Sequence, residues 1–344
     1  GVSDVVDSWG EKENLMAYDN LDDFFRTGLT SMTSVSISYG NENLQTYFSY
    51  ANTTGYGIIG KHNLSKHNLT FRETSVLLNS RLKLDGSMNL MRQVVKNKPT
   101  VGGFYMNPLV GLYRFPRGED ISYYKENFEV YDEGRNLNIQ NWHTSYEDFE
   151  QNPYWITNRI LSKENRMHVI VSLSANLKIN DWLSLQARGN VDYINDKVRQ
   201  QFYASTAPAL AGANGRYIEM DYQETQYYGD AILMMKKQWD AFSLNAALGA
   251  SINDKTVNST RYDSKTASLK YANVFNLANI IMNGSAGLDQ KIDARRQLQS
   301  LFATAQLGYN EFVYLDLSAR NDWSSTLAYT SPVSYTHLRA HETR

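Results

Sequence analysis

The sequence contains no cysteine among its 344 residues, which excludes disulfides, thiol chemistry and cysteine-based metal sites. It also lacks any apolar run near the roughly 18 residues that a transmembrane helix requires. Basic and acidic residues nearly balance, at 34 and 36, so the formal net charge is only -2. A chain with this balance has no overall attraction to nucleic acid or to an anionic membrane surface. These absences do not exclude a β-barrel, because barrel strands direct only every second residue toward lipid.

The main positive feature is a strict alternation of apolar and polar residues, which is clearest from Met167 to Ile179. The odd positions are apolar and the even positions are polar, with Ile170 as the exception. A period of two predicts a β-strand with one apolar face and one polar face. About ten strands are predicted in this way, over Thr33–Tyr39, Leu44–Ala51, Lys66–Val76, Leu82–Gln93, Arg166–Ile179, Leu183–Asp196, Gln223–Lys236, Phe242–Ile252, Ser300–Tyr309 and Phe312–Arg320.

The connections between these strands alternate between tight turns and long loops. The long loops include a Gly-rich one at Gly55, Gly57 and Gly60, and others over about 96–165, 201–221 and 253–296. Successive hairpins with strands of about 10 residues are typical of transmembrane β-barrels, which have short turns on one side and long loops on the other. Soluble β-sandwiches have strands of about 5–6 residues, although their cores would exclude charge equally well. The predicted fold class is therefore all-β, as an antiparallel transmembrane β-barrel.

Several short motifs, spread over about residues 20–331, add a family resemblance. They are Asp23–Gly28, Tyr47–Tyr50, Tyr105–Leu109, Asn152–Trp155, Asp181–Ser184, Ala187–Asn190 and Ala319–Ser325. In this order they resemble the SusC/RagA-type TonB-dependent outer-membrane transporters of Gram-negative cells.

The resemblance implies a barrel of about 22 strands around an N-terminal plug. It also implies import of oligosaccharides or peptides, a SusD-like lid lipoprotein, and energy from a TonB–ExbB–ExbD complex that acts through the plug. The sequence shows no plug, TonB box or signal peptide, so energy-coupling residues cannot be assigned and truncation is expected. We expect about ten of these strands to form a partial barrel, as an open curved sheet in the lipid bilayer with long extracellular loops.

The predicted organisation has three parts. Residues 1–29 form an irregular acidic lead-in, and residues 30–331 form the partial TonB-dependent-receptor barrel. Residues 332–344 resemble translated sequencing-adaptor DNA, so we expect a non-native tail outside the fold.

Aromatic residues supply the candidate functional sites. Flat rings in a long loop can stack on sugars or pack against peptides, although they can equally pack the loop on itself or against the lid protein. Aromatic residues at tight turns suit the girdle at a membrane interface, with ordinary turn packing as the alternative. The candidate substrate-binding residues are Phe104, Tyr105, Tyr113, Trp142, Tyr154 and Trp155, and the candidate girdle residues are Trp182, Trp239 and Phe312.

No catalytic, cofactor or metal site is predicted. His337 and His341 have the i, i+4 spacing of a helical metal pair, but they lie in the tail and lack a third ligand. Acidic pairs such as Glu119-Asp120 would point to opposite faces of a strand, so they are poor acid/base pairs. Calcium binding by loop carboxylates is left open. The chain is therefore expected not to be an enzyme, and the alternative is a soluble secreted glycan-binding module or glycoside hydrolase domain.

Overall fold

The structure is a computed structural model of the chain. It describes residues 16–100, 102, 105–144, 150–265, 269–282 and 287–327, together with the backbone of 333–342. The described residues form an eleven-stranded sheet and a separate two-stranded sheet. Every pairing between neighbouring strands is antiparallel, which confirms the predicted fold class. No described helix is both long enough and apolar enough to cross a membrane.

The strands follow one another along the chain as a meander. The large sheet contains β1 (Leu29–Gly40), β2 (Leu44–Tyr56), β3 (Asn63–Leu77), β4 (Leu82–Lys96), β7 (Ile160–Lys178), β8 (Leu183–Phe202), β9 (Arg216–Trp239), β10 (Phe242–Asp263), β11 (Gly287–Tyr309), β12 (Val313–Ser324) and β13 (Val333–Glu342). The small sheet contains β5 (Glu129–Asp132) and β6 (Leu137–Gln140). The helices are α1 (Asn20–Phe24), α2 (Pro108–Arg114), α3 (Ser122–Glu126) and α4 (Pro153–Arg159), with a 3₁₀-helix at Leu277–Asn279.

The large sheet is open. Each strand pairs with the next one along the chain, except that β4 pairs with β7 because β5 and β6 lie apart in the loop between them. Within the described residues, β1 and β13 are the two edges and do not pair with each other. An open meander of this kind confirms the expected partial barrel.

The tight turns lie at one end of the hairpins, as predicted, and short polar side chains close them. In the turn between β1 and β2, Asn41 Oδ1 accepts hydrogen bonds from the backbone N–H groups of Asn43 and Leu44, at 2.8 and 2.9 Å. In the turn between β11 and β12, Asn310 and Glu311 both have positive φ, at 50° and 56°. A two-residue hairpin turn with this backbone twist matches the twist of the strands.

The strands are longer than the sequence pattern predicts, with β9 reaching 24 residues. The predicted Gly-rich loop is wrong at Gly55, which lies inside β2 opposite Leu64. The alternation that marks a strand requires one apolar face, so it disappears where both faces are polar even though the backbone ladder continues.

On β8 the apolar stretch from Leu183 to Tyr193 covers ~33 Å of strand. At a tilt of about 40° this corresponds to ~25 Å along the barrel axis.

The two faces of the sheet differ in character, because directly opposed residues in neighbouring strands share a face. We call the side that carries Val171 the apolar face and the side that carries Ser172 the polar face. The register aligns Val171 with Met88 on β4 and with Val191 on β8. Val171 is 42% exposed, and the neighbouring Leu173 is 60% exposed. An apolar surface of this extent, exposed across the large sheet, suits contact with lipid.

Beyond the strands, the lead-in contains α1, and β1 begins at Leu29. The backbone of Val333–Glu342 pairs with β12 as the edge strand β13. An edge strand pairs through its backbone, so this position does not bear on the origin of residues 332–344, and their non-native origin stays a prediction.

The face assignment makes a prediction for the barrel in lipid vesicles. Val171→Arg should lower the free energy of unfolding by roughly 2–4 kcal/mol, because it places a charge near the middle of the apolar face. Ser172→Arg should cost only about 1 kcal/mol, the value of the hydrogen bond that its Oγ accepts from Asn190. Denaturant titration of both variants measures the difference, and equal losses would show that the faces are wrongly assigned.

Candidate functional site

The polar face is covered with ion pairs between neighbouring strands. Asp85 on β4 accepts hydrogen bonds from Arg72 at 2.8 Å and Thr74 at 2.7 Å, both on β3. Asp230 on β9, whose side chain is almost fully buried, accepts from Arg188 on β8 at 2.8 Å and Tyr228 at 2.6 Å. Other pairs on this face are Arg166–Asp196, His168–Asp192 and Lys255–Glu224. Charges that neutralise one another across strands give a hydrated, hydrogen-bonding surface with little net charge.

Part of the polar face is concave. A hollow of about 1140 Å³ lies along β1 to β4, at the end that carries the tight turns. The lining includes Tyr47, Thr70, Arg72, Thr74 and Ser87, which present hydroxyl and guanidinium groups. The hollow is a polar surface rather than a closed binding pocket.

The described residues of the long loops form one unit at the other end of the sheet, which we call the loop body: the described parts of 97–159, 203–215 and 264–282. Trp155 is fully buried there, and its Nε1 donates a hydrogen bond to Thr206 Oγ1 at 3.1 Å. Gln151 Oε1 accepts from the backbone N–H of Ala207 at 2.8 Å. Asn273 Oδ1 accepts from the backbone N–H of Ala204 at 2.7 Å. These bonds tie all three loops together.

Asn152 is the central residue of the loop body, and it is fully buried. Its Oδ1 caps α4 by accepting from the backbone N–H of Tyr154 at 2.8 Å. Its Nδ2 donates to the carbonyl oxygens of Tyr124 at 2.9 Å and Asn141 at 2.8 Å. Pro153 starts the helix, where its missing N–H costs nothing. The motif Asn152–Trp155 is therefore a structural anchor.

Aromatic packing fills the adjacent core. Phe115 lies 5.3 Å from the ring of Trp142 and 5.7 Å from that of Tyr124. The buried carboxylate of Glu150 accepts from Trp142 Nε1 at 3.1 Å and lies 3.0 Å from His143 Nε2. These contacts hold the indole in place within the loop body.

The candidate substrate-binding residues occupy different environments. Trp155 and Tyr154 are buried, and Trp142 is half-buried in the aromatic core, so all three pack the loop on itself. Burial raises the pKa of Tyr154 to about 12, with smaller contributions from the nearby carboxylates of Asp23 and Asp120.

The remaining candidates lie nearer the surface. Tyr105 is half-buried, and its carbonyl oxygen accepts from Gln151 Nε2. Tyr113 is 64% exposed, while Phe104 lies outside the described residues. Three exposed loop tyrosines are not among the candidates, because the sequence pattern does not separate the surface of a loop from its interior: Tyr123, Tyr131 and Tyr271.

The candidate girdle residues lie at the tight-turn end of the sheet and are exposed, with Trp182 at 40% and Trp239 at 45%. Lys237 Nζ lies 5.3 Å from the ring centres of both indoles. Phe312 is also exposed, beside the turn between β11 and β12.

The described residues contain no group of three His, Cys, Asp or Glu side chains that could hold a metal. His337 and His341 belong to β13, not to a helix. Four residues along a strand span ~13 Å, so the helical spacing of a metal pair does not apply to them.

Trp155→Ala should destabilise the loop body by roughly 3–5 kcal/mol, because it removes a fully buried ring and a hydrogen bond. Limited proteolysis should then cut loops 97–159 and 203–215 together. Tyr113→Ala is the matched control at an exposed site, where we expect a change within about 0.5 kcal/mol. Unchanged protection in Trp155→Ala would contradict a shared core.

Acid should weaken the loop body through Glu129. Arg159 donates two hydrogen bonds of 2.6 Å to this carboxylate. They hold the pKa of Glu129 below its ordinary value of 4.5, against the opposing effect of partial burial. A depressed pKa means that the stabilisation is complete above about pH 4.5 and is lost as the pH falls through the folded-state value.

Hydrogen exchange of the loop body, corrected for intrinsic rates between about pH 6 and pH 3, measures this dependence. Glu129→Gln should remove this part of the acid sensitivity and cost roughly 1–3 kcal/mol at neutral pH. Glu126→Gln, at an exposed position of the same loop, is the control. The same acid profile in Glu129→Gln and the wild type would contradict the role of the pair.

Solved transporter and receptor structures are similar to this chain. The structure described as the RagAB peptide transporter has a TM-score of 0.71 at 17% identity, covering 94% of this chain and 35% of the matched chain. The structure of the RagAB peptide importer in the open-open state has a TM-score of 0.66 at 17% identity, covering 94% of this chain and 34% of the matched chain. The structure of the siderophore receptor PiuA from Acinetobacter baumannii has a TM-score of 0.50 at 11% identity, covering 91% of this chain and 45% of the matched chain. No protein-family model and no curated protein matches the sequence.

The chain spans about a third of the length of the RagAB chains that it matches, at 35% and 34%. These proteins are named as transporters, importers and receptors, not as enzymes. At these identities the likeness concerns the fold. The chain therefore shares its fold with part of the chain that it matches in the RagAB peptide transporter structure.

Proposed function

We propose that the chain forms part of the barrel wall and extracellular loops of a TonB-dependent importer in the Gram-negative outer membrane. The cargo is an oligosaccharide or a peptide. The observation that carries this proposal is the exposed apolar face, which lies opposite an ion-paired polar face in one open antiparallel meander. A soluble glycan-binding module or hydrolase domain would cover such an apolar face with a second layer.

The dimensions support a position across a bilayer. The apolar stretch of ~25 Å on β8 equals the height of the lipid-facing band of outer-membrane barrels. Trp182, Trp239 and Phe312 then form part of the girdle at the periplasmic interface, where amphipathic rings are favoured. The loop body extends from the other end of the strands, on the extracellular side.

The polar face then lines the lumen. Its cross-strand pairs, such as Arg188–Asp230, hold opposite charges against each other rather than presenting them singly to a passing solute. A plug outside this chain would contact this face and link it to the TonB–ExbB–ExbD complex.

The loop body is the surface that would meet the cargo and a SusD-like lid lipoprotein. Its interior is tied together through Asn152 and Trp155, so exposed rings are presented on a rigid support. We assign cargo contact first to Tyr113, which is 64% exposed, and then to the half-buried Tyr105. Phe104 lies outside the described residues, and its role stays a prediction from the sequence. Trp142, Tyr154 and Trp155 contribute as the support beneath them. RagAB, which shares the fold, is described as a peptide transporter, and flat rings suit peptides and sugars alike.

Uptake in cells tests this proposal. Cells that lack the gene should fail to accumulate a fluorescent peptide or oligosaccharide that the wild-type gene imports. Tyr113→Ala should raise the half-saturating concentration roughly threefold to tenfold, the value of one aromatic contact. Tyr113→Phe keeps the ring and should behave like the wild type.

The same cells test the location. The protein should fractionate with the outer membrane, require detergent for extraction and change its gel mobility on heating. A protein that stays soluble without detergent would contradict the proposal, and so would uptake that does not depend on the gene.

A further inference from the structure

A row of basic residues crosses three neighbouring strands beyond the apolar stretch, toward the loop body. Lys96 on β4 lies directly opposite Lys163 on β7, and Lys163 lies directly opposite Arg199 on β8. All three have the parity of the apolar face and are exposed. Directly opposed residues have Cβ atoms about 4.5–5.5 Å apart, so like charges in these positions repel one another.

The acidic residues nearby neutralise only one end of this row. Arg199 pairs with Glu219 at 3.1 Å, on the side away from Lys163. Within the described residues, neither Lys96 nor Lys163 has a carboxylate within salt-bridge distance. Glu164 follows Lys163 in sequence, but it has the parity of the polar face and lies opposite Val95. Two adjacent lysines are therefore left without a counter-charge on the outer side of the wall.

The row lies close enough to the apolar stretch for its side chains to reach an anionic group at the membrane interface. Lys163 lies four residues beyond Met167, which is ~13 Å along the strand and ~10 Å along the membrane normal. Arg92, exposed directly opposite Met167, brings a further positive charge closer to the apolar stretch. Lysine and arginine side chains are long enough to reach back toward a membrane interface.

We propose that the row of Lys96, Lys163 and Arg199, together with Arg92, binds the phosphate groups of an anionic lipid in the adjacent leaflet. The acyl chains of that lipid lie along Leu90 and Val169, below the row on the same face. The inference rests on the proposed function, because it requires the apolar face to contact the outer membrane. Cargo in the lumen cannot reach these side chains, because they lie on the opposite side of the sheet.

Lipid binding to the complete protein in vesicles tests the site. The vesicles contain either bis-phosphorylated lipid A or its dephosphorylated form, and a third set contains the dephosphorylated form with free inorganic phosphate. The wild type should retain the phosphorylated lipid in native mass spectrometry and melt at a higher temperature in its presence. The double variant Lys96→Gln/Lys163→Gln should bind it roughly 25-fold less tightly, from the loss of two charges near an anionic surface.

Lys83→Gln is the matched control, since Lys83 is an exposed lysine of the same strand with the parity of the polar face. It should bind like the wild type. Equal binding by the double variant would overturn the inference, and so would a thermal shift that free phosphate reproduces. Heat-modifiable gel mobility of all three proteins reports insertion separately. Failure of the wild type to insert would overturn the proposed function and this inference together, whereas insertion without phosphate-dependent binding would overturn the inference alone.

Discussion

The antiparallel backbone ladder sets the register, the two faces and the ion pairs of the large sheet. An unpaired peptide group costs several kcal/mol in hydrocarbon, so a lipid-facing sheet must keep its ladder continuous across the membrane. The ladder fixes the register, and the register decides which side chains share a face. A slip of one residue would move Asp230 to the apolar face and Ala231 to the polar face. Each ion pair on the polar face therefore forms only in this register, and any other register would lose it.

The loop body is held together by a different principle. Outside the β5–β6 hairpin its segments are too irregular for a ladder, so buried side-chain amides satisfy backbone groups instead. Asn152 serves three backbone groups from one buried position, and Gln151 serves another across two loops. Such amides serve as donors and acceptors without the desolvation cost of a charge. The aromatic rings then exclude water around them, which explains why the largest ring of the motif, Trp155, lies inside.

Overall composition and local placement of charge are separate properties in this chain. The formal net charge of -2 indicates no attraction to an anionic surface. The register nevertheless brings Lys96 and Lys163 side by side on the apolar face, whereas it pairs Asp85 and Asp230 with arginines on the polar face. A sum over the whole chain carries no information about which face a charge occupies.

Local periodicity predicts the strand type and the two faces, and the φ preferences of residues such as Asn310 predict the turn positions. Local alternation could not determine where the strands end, since the outer parts of β9 and β10 carry polar residues on both faces although their backbones stay paired. It also could not distinguish exposed Tyr113 from buried Trp155, because burial in an irregular loop depends on partners such as Thr206 from another loop. These points, and the pairing of Lys96 with Lys163, follow from tertiary contacts, since contacts between residues far apart in the chain depend on the complete register of the sheet.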